Sequence, residues 1–325
     1  MDKSKPNWSA YLSISVLLVA MFFLVQYLIN AQLMDVYYQI NLFMIGINII
    51  LAVSLNLITG FTGQLSLGHA GFMAVGAYVA AVMTTKLGYS LPVAVLSGCI
   101  AAGVAGVLIG VPTLRLKGDY LAIATLGFGE IVRVVLLNID YVGGAAGLIG
   151  IAQLTNWTWL FFSVLVTLLF IQNLINSSYG RACLAVRENE VAAEMMGVDT
   201  TKYKILAFTV GAFFAGLAGA LYAHYFFIIQ PGTFSFFRSF DVLVMVVLGG
   251  LGSTTGAVLA AVFLTILSAG LQSFPEIRMV IYSVVLIVTM IYRPQGLMGN
   301  KEISLRIFRR VRGEDRGTTR SEEPL

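Results

Sequence analysis

The stretch VYYQINLFMIGINIILAVSLNLITGFTGQLSLGHAGFMAVGAYVAAVMTT, residues 36–85, decides the fold, because it contains no Asp, Glu, Lys or Arg. A transmembrane helix needs roughly 20 apolar residues, so this window is long enough for two crossings. The whole chain has the same character: 58% of its residues are hydrophobic and 11% are charged, whereas a soluble domain is about one quarter charged. We therefore predict an integral membrane protein.

Further charge-free windows lie on both sides of this stretch, at 9–34, 87–114, 141–180, 205–237 and 242–275. Dividing the windows at clusters of Gly, Pro and Asn predicts about ten spans, near 10–29, 36–58, 66–85, 91–111, 120–138, 157–176, 205–228, 239–251, 255–273 and 277–292. The expected fold class is an all-α membrane bundle. Segment 66–85 is rich in Gly and Ala and segment 239–251 is short, so we expect short, tilted or discontinuous helices there.

The placement of Lys and Arg predicts the orientation. With both termini in the cytoplasm, the inner segments hold Lys3, Lys5, Arg115, Lys117, Arg181, Arg187, Lys202, Lys204, Arg293, Lys301 and the arginines of 306–320. The predicted outer loops hold Lys86, Arg238 and Arg278. This asymmetry follows the positive-inside rule. Residues 1–299 are expected to form one transmembrane domain, and residues 300–325 a basic and polar cytoplasmic tail.

Segment 180–204, GRACLAVRENEVAAEMMGVDTTKYK, carries eight charged residues in a chain that otherwise avoids charge. Its apolar residues recur at helical spacing, at Leu184, Val191, Met195 and Val198, which predicts an amphipathic helix with its charged side chains in water. A short amphipathic helix between membrane spans is expected to contact a partner protein or a lipid surface.

The sequence carries no signature of catalysis. It has no Gly-rich phosphate loop followed by Lys-Ser/Thr, no paired histidines at metal spacing and no nucleophile with a plausible base. Cys99 and Cys183 lack metal-ligand spacing. We predict no catalytic residue, no bound metal and no cofactor, so that any use of ATP would require another chain.

Two Gly-rich segments contain candidate packing and pathway residues. Close helix packing is expected at Gly63, Gly68, Gly71, Gly249, Gly250 and Gly252. Gln64, Ser66 and His69 are polar side chains among apolar ones, and such groups at membrane depth need partners or water. They are candidates for the translocation pathway or a gate, and hydrogen bonding within the bundle is the alternative.

Three motifs, within residues 56–81, 180–197 and 247–261, resemble in this order the permease family of branched-chain amino acid ABC importers, the LivM type. The resemblance extends over roughly residues 40–298. It implies a multi-pass protein of the bacterial inner membrane, embedded in the lipid bilayer. The implied partners are a second related permease, two cytoplasmic ATPase subunits that bind ATP and Mg²⁺, and an external substrate-binding protein; nucleic acid is not among them.

By this resemblance, segment 180–204 is the cytoplasmic coupling loop. The family's Glu-Ala-Ala with Gly four residues beyond is matched by Val191, Ala192, Ala193 and Gly197, with Val191 in the place of Glu. The implied ATPase-coupling residues are Arg187, Glu188, Glu190, Val191, Ala192, Ala193, Glu194, Met195, Gly197 and Val198.

Glu130 and Arg133 are charged residues inside a predicted span, three positions apart and thus able to pair on one helix face. They form either a structural ion pair or a contact with a zwitterionic substrate or the companion permease. The expected function is that of a permease subunit for branched-chain or related amino acids. The alternatives are a related urea or amide importer, an ion-coupled secondary transporter or a non-transporting scaffold.

Overall fold

The structure is a computed structural model that describes residues 8–113, 116, 118–272, 275–293 and 296–299. The predicted tail, 300–325, lies outside the described residues, as do Lys3, Lys5, Arg115 and Lys117. Within the described part, the helices are α1 (Trp8–Asn30), α2 (Val36–Asn56), α3 (His69–Thr85), α4 (Leu91–Thr113), α5 (Asp119–Asn138), α6 (Trp157–Asn176), α7 (Ser178–Glu188), α8 (Glu190–Met195), α9 (Thr200–Tyr225), α10 (Phe236–Gly249), α11 (Thr254–Gly270) and α12 (Pro275–Tyr292).

The prediction of an all-helical membrane bundle is confirmed. Five helical segments of the described chain are long and apolar enough to cross a membrane: Val36–Phe61, Leu91–Thr113, Asp119–Asn138, Trp157–Asn176 and Thr200–Tyr225. Shorter apolar helices cover Leu18–Asn30, His69–Thr85, Thr254–Gly270 and Val280–Thr289. The number of ten spans stays a prediction.

The centre of the bundle is built from α3, α4 and α9, which pack on one another more extensively than other helices do. Glycines make this approach possible. A Cβ atom added to Gly76 on α3 would overlap the backbone of Gly216 on α9, and one added to Gly98 on α4 would lie 2.6 Å from the Gly76 carbonyl oxygen. Small residues at such contacts are typical of membrane helices, which associate by close packing of their backbones.

Two helices are shortened or interrupted, as expected for segments 66–85 and 239–251. A π-helical turn, Leu57–Phe61, continues α2, and residues 62–68 are then non-helical until α3 begins at His69. The α10 helix has 14 residues, which corresponds to about 21 Å, and it follows a 3-10 turn at Pro231–Phe234. This length is less than the hydrocarbon thickness of about 30 Å. The first break lies inside the bundle, where residues 57–62 are buried, and the second follows Ile229 directly.

The bundle has two ends, which we call the ribbon end and the loop end. At the ribbon end, strands β1 (Leu148–Ile149) and β2 (Ile228–Ile229) form an antiparallel pair, joining the segment after α5 to the segment after α9. The first half of α2 lies near the ribbon, because Phe43 stacks on Tyr225 with ring centroids 3.9 Å apart. At the loop end, α7 and α8 precede α9. The assignment of the loop end to the cytoplasm stays a prediction.

The sequence analysis placed Arg238 in an outer loop, but the residue lies in the first turn of α10. The prediction failed because the helix begins three residues earlier than the predicted span, directly after Ser235. The Arg238 side chain is half-buried and donates a hydrogen bond to Asn48 on α2. A second charged residue, Asp241, lies one turn further along α10.

Candidate functional site

The last residue of α2 holds the junction between α10 and α11. The buried Asn56 side chain donates from Nδ2 to the carbonyl oxygen of Ser253 at 3.0 Å. Its Oδ1 accepts from the amide of Gly252, also at 3.0 Å. Both groups of this amide side chain are therefore satisfied by the backbone of one turn, which fixes the end of α2 to the α10–α11 junction.

The non-helical segment 62–68 is supported by α5, and the first turn of α3 by α10. The amide of Leu67 donates to Thr125 Oγ1 at 3.0 Å, and the amide of Ala70 donates to Ser239 Oγ at 3.0 Å. Irregular backbone is tolerated at membrane depth where the protein supplies such partners. The arrangement places the predicted pathway residues between α2, α5 and α10.

These candidate pathway residues are buried and incompletely hydrogen-bonded. Gln64 is 4% exposed, and Ser66 and His69 are fully buried. His69 Nε2 lies 2.9 Å from Ser54 Oγ on α2. Among the described residues, both polar atoms of the Gln64 amide, Ser66 Oγ and His69 Nδ1 have no hydrogen-bond partner. Buried polar groups are costly without a partner, so this polar cluster, Gln64, Ser66 and His69, is equipped to bind water or a passing polar group.

The predicted packing glycines lie at close contacts. A Cβ atom at Gly71 would be 2.9 Å from the Cα of Gly129, and one at Gly249 would be 2.5 Å from the carbonyl carbon of Gly256. One at Gly68 would overlap the carbonyl group of Thr125. Gly63, Gly250 and Gly252 have positive φ angles of 70°, 112° and 87°. Gly63 and Gly252 also lie against Arg187.

Segment 180–204 contains most of α7, all of α8 and the start of α9, and not the single amphipathic helix that its spacing predicted. Asn189 separates α7 from α8, because its Oδ1 accepts from the amide of Ala192 at 3.0 Å and so caps the start of α8. At the other end, Gly197 adopts a φ of +83°. Hydrogen bonds from the amides of Gly197 and Val198 to the carbonyls of Glu194 and Ala193 close the helix, the arrangement of a Schellman motif.

The short α8 helix presents apolar side chains to the outside. Met195 is 83% exposed and Met196 85%, and Val191 is also exposed. Leu184 packs against the core and Val198 is half-buried, so the predicted stripe is divided between the two helices. We call Val191, Met195 and Met196 the α8 face. A cluster of exposed methionines and valine at the end of a bundle is typical of a protein interaction site.

The remaining predicted coupling residues differ in their surroundings. Ala193 is buried, whereas Ala192, Glu194 and Gly197 are exposed. Glu190 Oε1 pairs with Lys204 Nζ at 2.6 Å, which fixes α8 to the first turns of α9. The α8 helix is therefore held by a cap, a left-handed glycine and an ion pair.

Arg187 does not extend into water, contrary to the prediction. Its Nη1 donates to the carbonyl oxygen of Gly60 at 2.7 Å, in the π-helical turn that follows α2. Its methylene groups cover Gly63, where an added Cβ would lie 3.1 Å from Arg187 Cγ. An added Cβ at Gly252 would lie 2.6 Å from Nη1. The side chain is 23% exposed and its Nη2 pairs with the more exposed Glu188 at 3.1 Å. The prediction failed because the two glycines leave a space that the guanidinium fills.

Cys183 lies on the inner side of α7, with its Sγ 3.9 Å from the carbonyl oxygen of Tyr203. Burial raises the pKa of this thiol to about 11, because the thiolate is poorly solvated there. The thiol is therefore protonated at neutral pH.

Glu130 and Arg133 form the predicted ion pair, with Arg133 Nε 2.7 Å from Glu130 Oε2. The other carboxylate oxygen of Glu130 accepts from the amide of Phe236 at 3.2 Å, at the first residue of α10. A carboxylate is favourable at this position because the helix start carries a partial positive charge. The pair thus joins α5 to the shortened helix α10.

The sequence analysis missed Asn56, Asn48 and Ser239, which connect α2, α3 and α10 through their side chains. The available signal was their polarity within otherwise apolar segments, the same signal that selected Gln64.

A family model described as branched-chain amino acid transport system / permease component matches residues 37–290. The chain is 38% identical to the high-affinity branched-chain amino acid transport system permease protein LivM of Salmonella typhimurium, over 78% of this chain and 68% of the relative. The LivM protein of Escherichia coli K12 gives the same identity and coverage.

The permease protein LivH of Salmonella typhimurium is 28% identical, over 55% of this chain and 59% of the relative. No solved structure matches this chain. These relatives are permease proteins of branched-chain amino acid transport systems. The chain is thus a multi-pass helical membrane protein that belongs to the family of branched-chain amino acid transport system permease components.

Proposed function

We propose that this chain is the permease subunit of an ATP-driven ABC importer for branched-chain or related amino acids. It forms half of the translocation pathway, and a second, related permease forms the other half. Two cytoplasmic ATPase subunits bind ATP and Mg²⁺, an external binding protein delivers the substrate, and this chain itself binds no cofactor. The family match over residues 37–290 is the observation that carries the proposal.

The loop end supports a coupling role for residues 180–204. The α8 face offers apolar side chains for an ATPase surface, and the α8 helix is held as a unit by its cap, its glycine and the Glu190–Lys204 pair. A rigid helix transmits displacement better than a flexible loop, because less of the movement is absorbed internally. Because α7 packs against α8, movement of an ATPase against the α8 face would move the two helices together.

Arg187 supports a connection from this loop to the pathway. It is bonded to Gly60, directly before the segment that contains the polar cluster Gln64, Ser66 and His69. It also lies against Gly252, which Asn56 holds. In the proposed mechanism, displacement of α7 shifts segment 62–68 and the α10–α11 junction. The polar cluster then forms new hydrogen bonds as the pathway opens to the other side of the membrane.

The test is co-purification and transport with Met195→Glu. The chain is expressed with a second permease, the ATPase subunits and the binding protein, and leucine uptake and ATP hydrolysis are measured in proteoliposomes. Met195 is exposed, so the change should leave folding stability within about 0.5 kcal/mol. Loss of ATPase subunits from the purified complex, and of uptake, is expected.

The matched control is Asn176→Glu, which adds the same charge at the exposed last residue of α6, outside residues 180–204 and the α8 face. Normal assembly and uptake are expected for this control. If Met195→Glu assembles and transports like the wild type at equal membrane abundance, the α8 face is not the coupling surface. If the wild-type chain purifies without ATPase subunits and transports by an ion gradient, the importer proposal is wrong.

A further inference from the structure

The polar cluster lies on the inner face of the segment that interrupts α2 and α3. Gly63 and Leu65 are exposed. Gln64 and Ser66, which alternate with them, are buried. Such alternation is typical of extended backbone, whose successive side chains lie on opposite faces. The Gln64 and Ser66 side chains therefore share one buried face, and His69 begins α3 three residues further along the chain.

Four polar atoms of this cluster have no hydrogen-bond partner in the part of the chain that the structure describes. They are Nε2 and Oε1 of Gln64, Oγ of Ser66 and Nδ1 of His69. All three side chains are buried. A buried polar group without a partner is costly, and native proteins satisfy most such groups with protein atoms or ordered water. The four atoms therefore indicate a ligand.

The His69 ring requires a ligand at Nδ1 in either neutral form. Its Nε2 lies 2.9 Å from Ser54 Oγ, which also lies 3.0 Å from the carbonyl oxygen of Leu51. If Ser54 donates its proton to Leu51, Nε2 carries the ring proton and Nδ1 is an acceptor. If Ser54 donates to Nε2, Nδ1 carries the proton and is a donor. A ligand that both donates and accepts satisfies Nδ1 in both cases.

The Gln64 amide requires a donor and an acceptor at the same site. Its Nε2 is a donor and its Oε1 is an acceptor. An anion alone would leave Oε1 without a donor, and a cation alone would leave Nε2 without an acceptor. A cation is also disfavoured because the Arg187 side chain lies against the neighbouring Gly63. The ligand is therefore small, neutral and able to form hydrogen bonds of both kinds.

We propose that the polar cluster is a site for bound water. Water donates to Gln64 Oε1, accepts from Gln64 Nε2, and forms the missing hydrogen bonds of Ser66 and His69. A buried water molecule makes about three hydrogen bonds, so the four atoms take more than one molecule. The site keeps the break between α2 and α3 hydrated within the bundle.

Bound water would give this break a freedom that direct protein contacts do not give. The backbone of segment 62–68 is fixed to α5, since the amide of Leu67 donates to Thr125 Oγ1. Its inner side chains are held by molecules that can turn or exchange, at little cost compared with a direct hydrogen bond. This step rests on the proposed function, in which α7 displaces the segment. Water then allows the displacement without leaving buried polar groups unpaired.

The first test compares the two histidines of the wild-type chain. The full chain is purified from its membrane with the partners that accompany it and exposed to a short X-ray pulse. The pulse forms hydroxyl radicals from water, including bound water, and mass spectrometry identifies the oxidised residues. His69 and His224 are both fully buried. His224, however, has protein partners at both ring nitrogens, with Nδ1 2.8 Å from the Ala220 carbonyl oxygen and Nε2 3.0 Å from Thr84 Oγ1.

His69 should be oxidised and His224 should not, because only the His69 ring lies next to bound water. An unmodified His69 would overturn the proposal. Equal oxidation of the two histidines would also overturn it, since that result would report general access of water to the bundle and not a site.

The second test uses Gln64→Leu, which removes two of the four atoms. If water satisfies them, oxidation of His69 should fall and the apparent Tm should not rise, because hydrogen bonds to water are lost. If the atoms are unpaired, their removal relieves a cost and the apparent Tm should rise. A raised Tm with unchanged oxidation of His69 would refute the water site.

The matched control is Thr167→Val, which removes a buried hydroxyl that donates to the carbonyl oxygen of Ser163 within α6. Oxidation of His69 should be unchanged in this control. Loss of oxidation in both variants would show that the signal depends on the packing of the whole bundle, and would count against the site.

These outcomes are distinct from those that test the proposed function. Oxidation of His69 alone, in a chain that purifies without ATPase subunits, would support the water site while the importer proposal fails. An unmodified His69, in a complex whose leucine uptake depends on its ATPases, would refute the water site and leave the importer proposal intact.

Discussion

Arg187→Met removes the guanidinium that connects α7 to the π-helical turn after α2, while keeping most of the side-chain length. The hydrogen bond from Nη1 to the Gly60 carbonyl is 2.7 Å long and the side chain is 23% exposed. A hydrogen bond involving a charged group contributes about 1.5–3 kcal/mol. The pair with Glu188 adds little, because the Glu188 side chain is 71% exposed and exposed pairs contribute about 0–1 kcal/mol.

If this contact transmits the movement of the loop, its loss weakens the coupling free energy by the same amount. Each 1.4 kcal/mol is a factor of ten, so leucine uptake per ATP hydrolysed should fall roughly 10- to 100-fold. The ATPase subunits should still bind, because the α8 face is unchanged. The assay is the ratio of leucine uptake to phosphate release in proteoliposomes with the binding protein.

The control is Glu188→Gln, which removes the exposed ion pair but leaves the bond to Gly60. Its ratio should stay within about threefold of the wild type, since exposed pairs contribute little. If Arg187→Met shows the same ratio of leucine uptake to phosphate release as the wild type, at equal abundance and with ATPase subunits bound, the reasoning is refuted. An equal loss in both variants would show that the charge of the pair, and not the Gly60 contact, matters.

Three other outcomes follow from local geometry. Gly76→Ala should lower the apparent Tm in detergent by an amount equivalent to about 1–3 kcal/mol, because the new Cβ meets the α9 backbone. Gly127→Ala should not destabilise the protein, because no atom lies near the added Cβ. Asn189→Ala should destabilise α8 by about 0.5–2 kcal/mol, measured as faster hydrogen exchange confined to residues 190–196. In a Cys99→Ser background, Cys183 should react slowly with maleimide at pH 7 and faster as the pH approaches its raised pKa of about 11, because only the thiolate reacts. Rapid reaction of Cys183 at pH 7 in the folded protein would contradict the burial of this thiol.

The parts of the fold that depend on local composition were predictable. Charge-free windows locate the helices, since apolar length is the condition for crossing a bilayer, and the short or interrupted helices at 66–85 and 239–251 were expected from glycine content and length. The Glu130–Arg133 pair followed from a spacing of three residues on one helix. These inferences need information from one segment of the chain only.

The parts that depend on contacts between distant segments were not predictable. Arg187 reaches Gly60, which is 127 residues away in sequence, and Arg238 reaches Asn48, 190 residues away. An arginine in a polar loop and an arginine near a span end both appear solvated when the facing helix is unknown. The break at Asn189 was overlooked for a different reason. Helical spacing continues through this residue, whereas its backbone is extended and its side chain caps α8.

The α9 helix joins the two ends of the bundle by a continuous covalent path. It begins three residues after the glycine that ends α8 and finishes three residues before β2, and its 26 residues form a rod about 39 Å long. The β1–β2 pair then joins the segment after α9 to the connection between α5 and α6. A displacement along the α9 axis at the loop end can therefore reach the ribbon end through covalent bonds alone, without passing through a side-chain contact. If α7 and α8 transmit the movement of the ATPase subunits as proposed, α9 is a second route parallel to the Arg187 contact, and the transport that remains after loss of Arg187 is expected to use it.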